Sequence, residues 1–162
     1  MRGFGVIAAL LASPVLAQDL PYSDVQTLQC LQYAANPDAQ TACIGLSSSA
    51  CMNTELGGTT VGMGGCLDAE WQLWDRMLNQ NYQLRMAEAK QIDAEMRDIG
   101  ATVPSQASAL RAMQRAWITF RDASCDYERS KWGGGTGGGP ATVACWLELT
   151  GQQALALAAT DR

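Results

Sequence analysis

Apolar side chains recur every three or four residues along much of the second half of the chain. Between Leu67 and Ile99 the pattern is interrupted only by Arg85, and its members include Trp71, Trp74, Leu78, Tyr82, Ala89, Ile92 and Met96. This period is that of an amphipathic helix. We therefore predict a long first helix over 67–99. Gly100 should end it, because a left-handed position after a helix favours glycine.

Two further helices are predicted after this one. Pro104 lies where a helix start tolerates proline, and a second helix should follow over 105–131. Its apolar stripe comprises Leu110, Met113, Trp117, Phe120 and Tyr127. Pro140 opens a third helix, and the alternation of β-branched residues that marks strands is missing. The expected fold is all-α, a long antiparallel helical hairpin plus a third helix.

The first part of the mature chain has a different texture. Residues 18–65 are rich in Cys, Ser, Thr and Gly and show weak periodicity. We predict an irregular, disulfide-tied N-terminal cover over 18–65, packed on a helical domain over 66–162. Because about 145 residues suit one domain, both parts should form a single compact unit over 18–162.

Residues 1–17 have the pattern of a secretory signal peptide. Arg2 supplies the positive charge, an apolar run over 4–11 follows, and Ala17 precedes the expected cleavage at Gln18. No cysteine stands at that point, so the lipobox of a lipoprotein is missing. The rest of the chain has no apolar run of about 18 residues, so we expect no transmembrane anchor. The predicted location is periplasmic or secreted.

Six cysteines all lie in the part expected to be exported. An even number in an oxidising compartment predicts three disulfides, although sequence alone permits about 15 connectivities. Folding the second hairpin about residue 136 brings Cys125 and Cys145 to equal depth, which favours that bridge. Neighbouring cysteines are expected to pair elsewhere, as Cys30–Cys43 and Cys51–Cys66. The chain has no histidine, so a metal site is not expected.

The second helix also carries a polar stripe. Gln114, Trp117, Arg121 and Cys125 are spaced three or four residues apart and share one face. Folding the first hairpin places Arg121 level with Tyr82, which suggests a structural polar layer between helices. The layer would comprise Asn79, Tyr82, Gln114, Trp117, Arg121 and Asp122. If it forms, Arg121→Ala should lower stability by ~2–4 kcal/mol by stranding its partners.

These motifs resemble the LprI-like family of small exported bacterial proteins. The matching elements are Cys51 and Cys66, Leu-Asn-x-x-Tyr over 78–82, Trp-x-x-x-Arg-Asp-x-x-Cys over 117–125, a glycine-rich loop, and Cys145. The resemblance covers roughly residues 51–157. It implies a helical fold with structural disulfides and, as a function, inhibition of lysozyme. The chain departs from the family by lacking a lipobox and by having Gln153 where an arginine is common.

Charge and residue types narrow the function further. The net charge is −5, which argues against nucleic acid or anionic membrane and favours a basic partner. Without histidine, a Ser-His or Cys-His nucleophile pair is impossible. Asp68 and Glu70 point to different sides of a helix, and Asp75 or Asp122 would simply pair with Arg121. We therefore expect no catalytic residues, no cofactor and no enzyme activity.

A glycine loop joins the second and third helices. Six of the seven residues over 133–139 are glycine, yet the Lys-Ser/Thr of a phosphate-binding loop does not follow them. Such a loop should be mobile and lack side-chain bulk, so it could enter a narrow cleft or act as a passive connector. The candidate partner-binding residues are Trp132, Gly134, Gly135, Thr136, Gly137, Asp126 and Glu128.

Three functional hypotheses remain at this point. The first is a protein-binding protein, with a basic lysozyme-type muramidase as the partner. The second is a structural or accessory cell-envelope protein without lysozyme activity. The third, a hydrolase of cell-wall sugars, would need a pair of carboxylates that the sequence does not offer clearly. The sequence does not determine the oligomeric state.

Overall fold

The structure, a computed structural model, describes residues 20–159, and the predicted signal peptide lies outside them. Within this range there are six helices and no strand, so the all-α prediction is confirmed. The helices are α1 (Val25–Tyr33), α2 (Pro37–Thr41), α3 (Leu46–Met52), α4 (Thr60–Asp98), α5 (Gln106–Ser130) and α6 (Gly138–Ala158). The N-terminal segment, defined as residues 20–59, is therefore partly helical, with loops between three short helices.

Helix α4 begins seven residues earlier than the apolar period indicated. The Thr59 side chain accepts a hydrogen bond from the backbone N–H of Gly62 and so caps the helix. A Cβ atom at Gly62 would lie 2.8 Å from the carbonyl carbon of Leu56, so only glycine allows this first turn to pack closely. Because three of the first six residues of α4 are glycine, its start shows no apolar stripe in the sequence.

The corner between α4 and α5 is fixed by one carboxylate. Gly100 has φ 72° and ends α4 as predicted. Asp93 of α4 then accepts hydrogen bonds from the Ser105 hydroxyl (2.6 Å) and from the backbone N–H groups of Gln106 (2.7 Å) and Ala107 (3.1 Å). These bonds, that from Ser105 foremost, hold the pKa of Asp93 below its ordinary value. Asp93 thereby caps the N-terminus of α5 from a neighbouring helix.

Helices α4 and α6 run parallel to each other, and α5 runs antiparallel to both. The direction follows from three contacts whose residue numbers rise together in α4 and α6. Trp71 Nε1 donates to Thr150 Oγ1 (3.2 Å), Asn81 Nδ2 to the Ala154 carbonyl (3.0 Å), and Arg85 Nε to the Leu157 carbonyl (2.8 Å). Both N-termini therefore lie at the glycine-loop end of the bundle.

The core lies mainly between α4 and α6. Its buried residues are Leu67, Trp74, Leu78, Leu147, Ala154 and Leu157. A smaller cluster of Met86, Ala89 and Ala107 lies near the α4–α5 corner, and Tyr82 and Leu110 contact both clusters. Helix α6 contacts α4, α5 and the N-terminal segment, which explains its apolar composition.

Within 20–159 no helix is long and apolar enough to span a membrane.

The apolar stripe predicted for the second helix is only partly buried. Leu110 and Trp117 pack against the core, whereas Met113, Phe120 and Tyr127 are exposed by 42%, 60% and 68%. The buried positions of α5 are instead Ala107, Gln114 and Cys125. The inward face is rotated away from the stripe because the bridge at Cys125 directs it toward α6.

Three disulfides fasten neighbouring elements together, and they are the pairs expected from sequence. Cys30–Cys43 joins α1 to the turn after α2. Cys51–Cys66 joins α3 to α4. The third bridge joins α5 to α6 through Cys125 and Cys145, whose Cα atoms are 5.4 Å apart. The first two bridges hold the N-terminal segment together and attach it to the bundle.

Candidate functional site

The glycine loop forms a series of tight turns. The backbone N–H of Gly133 donates to the Ser130 carbonyl (3.2 Å), and that of Gly135 to the Trp132 carbonyl (2.9 Å). The N–H of Gly138 in turn donates to the Gly135 carbonyl (3.2 Å). Gly133 has φ 54°, a left-handed conformation that favours glycine. The glycine content suggested a mobile connector, whereas the hydrogen bonds give the loop a definite compact shape.

The Trp132 ring packs directly on this loop. A Cβ atom at Gly137 would lie 2.6 Å from Trp132 Cε3 and 3.1 Å from Cη2, so a side chain there would displace the ring. Gly138 also lies against Trp132, because a Cβ atom added at Gly138 would lie 3.3 Å from Trp132 Cβ. The indole is nevertheless 49% exposed. The loop therefore packs against a large aromatic side chain while leaving half of it exposed to solvent.

An open groove of about 540 Å³ lies beside the loop. It lies between the first turns of α4 and α6, which come together because the two helices are parallel. Its apolar part includes Val61, Pro140, Val143 and Trp146, and its charged part comprises Asp68 and Arg129. Val61 is 86% exposed, so the apolar wall is accessible. The groove and the loop together form the glycine-loop end of the bundle.

Trp146, which lines this groove, packs against a second tryptophan, Trp71. The ring centroids of Trp71 and Trp146 are 5.6 Å apart, in a tilted arrangement. Trp71 satisfies its indole N–H with Thr150, but the buried Nε1 of Trp146 has no hydrogen-bond partner among the described residues. The sequence indicated neither the groove nor this pair, because both depend on the parallel packing of α4 and α6.

The two acidic candidates beside the loop differ in availability. Glu128 forms an ion pair with Lys131, and this hydrogen bond raises the pKa of Lys131. Lys131 Nζ also lies 5.3 Å from the centroid of the Tyr127 ring. Asp126 is exposed and, within residues 20–159, has no basic side chain at ion-pair distance. Of these two acids, Asp126 is therefore the one whose carboxylate has no ion-pair partner within residues 20–159.

The side chains expected to form one polar layer are divided among separate contacts. Gln114 is buried and accepts a hydrogen bond from Gln153 Nε2 (3.1 Å) of α6. Asn79 is exposed and donates to Asp75 (2.9 Å) within α4. Tyr82 packs against both apolar clusters. The expected network fails because residues level along two helices need not face each other.

Arg121 likewise contacts its own helix. Its Nε and Nη2 atoms donate to Asp122 Oδ1 at 2.9 and 2.8 Å, and its guanidinium lies 5.1 Å from the centroid of the Trp117 ring. The Arg121 side chain is 16% exposed and that of Asp122 52%. Because Asp122 is half in solvent, removing Arg121 strands no buried charge. The large stability loss expected from the sequence is therefore revised downward.

The most buried charged residue, Glu70, was considered from the sequence only as one member of a rejected catalytic pair. It is 0% exposed and lies on α4 beneath the N-terminal segment. Its Oε1 accepts hydrogen bonds from the Thr27 hydroxyl (2.6 Å), the Gly45 N–H (2.9 Å) and Trp74 Nε1 (3.2 Å). Its Oε2 accepts from the Ser48 N–H at 2.6 Å. The carboxylate thus caps the N-terminus of α3 and joins three elements.

This arrangement identifies a structural role for Glu70. Thr27 and Ser47 exchange hydrogen bonds beside it: the Thr27 N–H donates to Ser47 Oγ and the Ser47 N–H to Thr27 Oγ1. The only signal in the sequence was an acid placed between Leu67 and Trp74, on the apolar side of the predicted helix. Two of its four donors are the backbone N–H groups of Gly45 and Ser48, which no side-chain pattern reveals.

Arg85, which interrupted the apolar period of the first helix, also has a structural partner. Its Nε donates to the Leu157 carbonyl (2.8 Å), and its Nη2 donates to the Ala158 carbonyl (3.2 Å). These are carbonyls at the last turn of α6, where a positive side chain is favoured.

Within residues 20–159, no group of three or more His, Cys, Asp or Glu side chains could hold a metal ion.

Comparison with known proteins identifies the family. The model of the lysozyme inhibitor LprI family matches residues 51–157. An uncharacterized 17.7 kDa protein from the puhA 5′ region of Rhodobacter capsulatus is 28% identical over 138 residues, 85% of each chain. An uncharacterized protein of Rhizobium meliloti strain 1021 is 34% identical over 85 residues, 52% of this chain and 61% of the relative. No solved structure matches. The chain belongs to the LprI lysozyme inhibitor family.

Proposed function

We propose that this protein is an exported inhibitor of a lysozyme-type muramidase and that it binds through the glycine-loop end of the bundle. The observation that carries the proposal is the half-exposed Trp132 ring, packed on Gly137 beside an open groove. Exposed aromatic side chains held rigidly in this way are typical anchors of protein interfaces. Membership of an inhibitor family supplies the class of partner.

The shape of the loop suits a cleft that accommodates sugar rings. Apart from Thr136, the residues over 133–139 have no side chain, so backbone groups can approach a cleft closely. The Trp132 ring is flat and amphipathic, so it could take the place of a sugar ring in such a cleft. Because the turns are already formed, less conformational entropy is lost on binding than for a free loop. The loop would occupy the sugar site and exclude the substrate.

The electrostatic contribution comes from the whole molecule and from one local acid. The chain has a net charge of −5, which accelerates encounter with a basic muramidase. Asp126 beside the loop offers an unpaired carboxylate for a lysine or arginine of that partner. Inhibition should therefore weaken as ionic strength rises.

Location follows from the same reasoning. Three disulfides are typical of an oxidising compartment, and the resemblance to the LprI family also favours an exported protein. We propose cleavage of residues 1–17 and release of the mature chain into the periplasm or the medium. N-terminal sequencing of the exported protein tests this, since a start other than Gln18 would contradict the proposed cleavage point.

The function is tested by a clearing assay on bacterial cell walls with purified, oxidised mature protein and several classes of lysozyme. We expect inhibition at micromolar protein, and loss of at least tenfold in potency for Trp132→Ala. Tyr33→Ala is the matched control, because Tyr33 is a 79% exposed aromatic on α1 and should leave inhibition unchanged.

Each outcome separates the hypotheses. Inhibition that survives Trp132→Ala would move the contact surface away from the loop. Failure to inhibit any class of lysozyme would refute the proposed function and favour an accessory role in the cell envelope. Clearing by the protein alone, without lysozyme, would instead identify a hydrolase.

A further inference from the structure

Helix α5 carries an apolar face that nothing in the described chain covers. We define the α5 seam as Ala109, Met113, Ala116, Phe120, Ala123 and Tyr127, all of which are exposed. It lies away from Gln114 and Cys125, the positions through which α5 meets α6, although the sulfur of its member Met113 accepts a hydrogen bond from Gln153 Nε2 of α6 (3.5 Å). Exposed fractions of 42%, 60% and 68% for its three large side chains are high for apolar residues that serve only a monomer's core.

The spacing of the seam is that of a helix–helix interface. Successive members are four, three, four, three and four residues apart, an uninterrupted heptad pattern along most of α5. Apolar residues with this 3.5-residue period form a straight seam against a partner helix, whereas a face that only meets solvent needs no such period. In addition, alanines and large side chains alternate along the seam.

We propose that the α5 seam is the interface of an antiparallel homodimer. With a two-fold axis beside residue 118, Met113 lies opposite Ala123 of the second copy and Phe120 opposite Ala116 of the second copy. Tyr127 likewise lies opposite Ala109 of the second copy. Each layer then combines one large and one small side chain, which keeps the helices at an even distance. A parallel pair would instead stack Phe120 on itself and alanine on alanine, in alternately crowded and empty layers.

The seam presents little charge to a second copy despite the acidic net charge. The positions beside it are Ala112, Thr119 and Asp126 on one side and Leu110, Trp117, Ser124 and Lys131 on the other. In the antiparallel register, Asp126 lies beside Ala112 of the second copy, whereas Lys131 lies beyond the first residue of α5 of the second copy. No like charges are brought together, so a second copy is tolerated electrostatically.

The size of the seam sets the expected affinity. Helix α5 has 25 residues and is thus about 37 Å long at ~1.5 Å per residue. With a helix diameter of ~10–12 Å, the footprint is roughly 400 Å² per copy, half of the ~800 Å² per partner of a standard stable interface. The dimer should therefore be weak, with dissociation in the micromolar range or above.

Sedimentation velocity from about 5 to 200 µM tests the interface with the oxidised mature protein. We expect wild type to dimerise over this range and Phe120→Arg to raise the dissociation constant at least tenfold. Ala116→Arg, which acts on the same layer from the small side, should do the same. Leu84→Arg is the control, because Leu84 is 63% exposed on α4 outside the seam. Monomeric wild type at 200 µM, or a dimer that survives both seam variants, would overturn the proposal.

The orientation is tested separately with nitroxide labels on Thr119→Cys and Ala112→Cys. All six native cysteines are paired, so each variant has one reactive thiol. In the antiparallel dimer, the labels at 119 lie nearly level across the axis, while those at 112 are offset by ~18 Å along the helices. A parallel dimer would give equal distances at the two positions and would refute the register. Because the glycine loop is outside the seam, this proposal can fail without affecting the proposed function.

Discussion

Replacing Gly137 by alanine tests whether the glycine loop positions Trp132. Gly137 has φ −69° and ψ −16°, which alanine adopts without strain, so the backbone itself permits the change. The new methyl group, however, would lie 2.6 Å from Trp132 Cε3. Carbon atoms in contact rest at about 3.5–4.0 Å, so the ring must retreat by about 1 Å or leave the loop.

The expected loss of stability follows from the buried part of the ring. A tryptophan that is 49% exposed buries roughly 100 Å² of apolar surface, which contributes ~2.5 kcal/mol at about 25 cal/mol per Å². Alanine also restricts the unfolded chain and returns ~0.4–1 kcal/mol. Complete displacement of the ring should therefore lower the free energy of unfolding by about 1.5–2 kcal/mol. A smaller shift of the ring costs less.

Gly134→Ala is the matched control, because a Cβ atom there meets no other atom within 4 Å. Its stability should be unchanged or up to ~1 kcal/mol higher. Urea unfolding gives the two free energies, and the cell-wall clearing assay gives the potency of each variant. We expect Gly137→Ala to lose inhibition at least tenfold and Gly134→Ala to retain it. Equal stability and potency for the two variants would refute the positioning of Trp132 by Gly137.

Three further substitutions test the structural contacts. Glu70→Gln should lower the free energy of unfolding by ~2–4 kcal/mol, because the NH₂ group of the new amide would oppose a backbone N–H donor in a buried site. The control Glu148→Gln, at an exposed site, should change this free energy little. Urea unfolding measures both variants. Because the pKa of Asp93 is lowered in the folded state, its stabilisation is present above about pH 4 and is lost as the pH falls through the folded-state pKa. In Asp93→Asn, the melting temperature should therefore depend less on pH between pH 2.5 and 5 than in wild type. An unchanged pH profile would contradict the role of Asp93 as a helix cap. Arg121→Ala should lower the free energy of unfolding by only ~0.5–1.5 kcal/mol, through loss of the contact with Trp117 and of a partly exposed ion pair. A loss above 2 kcal/mol in chemical denaturation would support the polar-layer hypothesis instead.

Features that depend on nearby residues could be predicted from the sequence. The helical period of α4 and the left-handed Gly100 follow from local preferences, and the bridge between Cys125 and Cys145 follows from the length of one hairpin. The start of α4 was predicted too late because glycine leaves no apolar pattern. Its cap, Thr59, is a single residue without a periodic signal.

Features that depend on which faces meet could not be predicted. Three of the four donors to Glu70, the Thr27 hydroxyl and the backbone N–H groups of Gly45 and Ser48, lie more than twenty positions away in the chain, so its burial has little local signature. Arg121 was placed level with Tyr82 from helix lengths alone, but its guanidinium donates to Asp122 of its own helix instead. The candidate loop was found from its glycine content. The packing of Trp132 on Gly137 could not be predicted, because it depends on the turns that the loop forms.

The order of the disulfides along the chain has a consequence for biogenesis. Each cysteine is bonded to its immediate neighbour in the cysteine order, so no bridge encloses or interleaves with another. A polypeptide that emerges amino end first from a translocation channel presents its thiols in this same order. An oxidase that joins each thiol to the next one to appear would produce the native set directly. Maturation of this protein should therefore proceed without a disulfide isomerase, unlike that of proteins with crossed bridges.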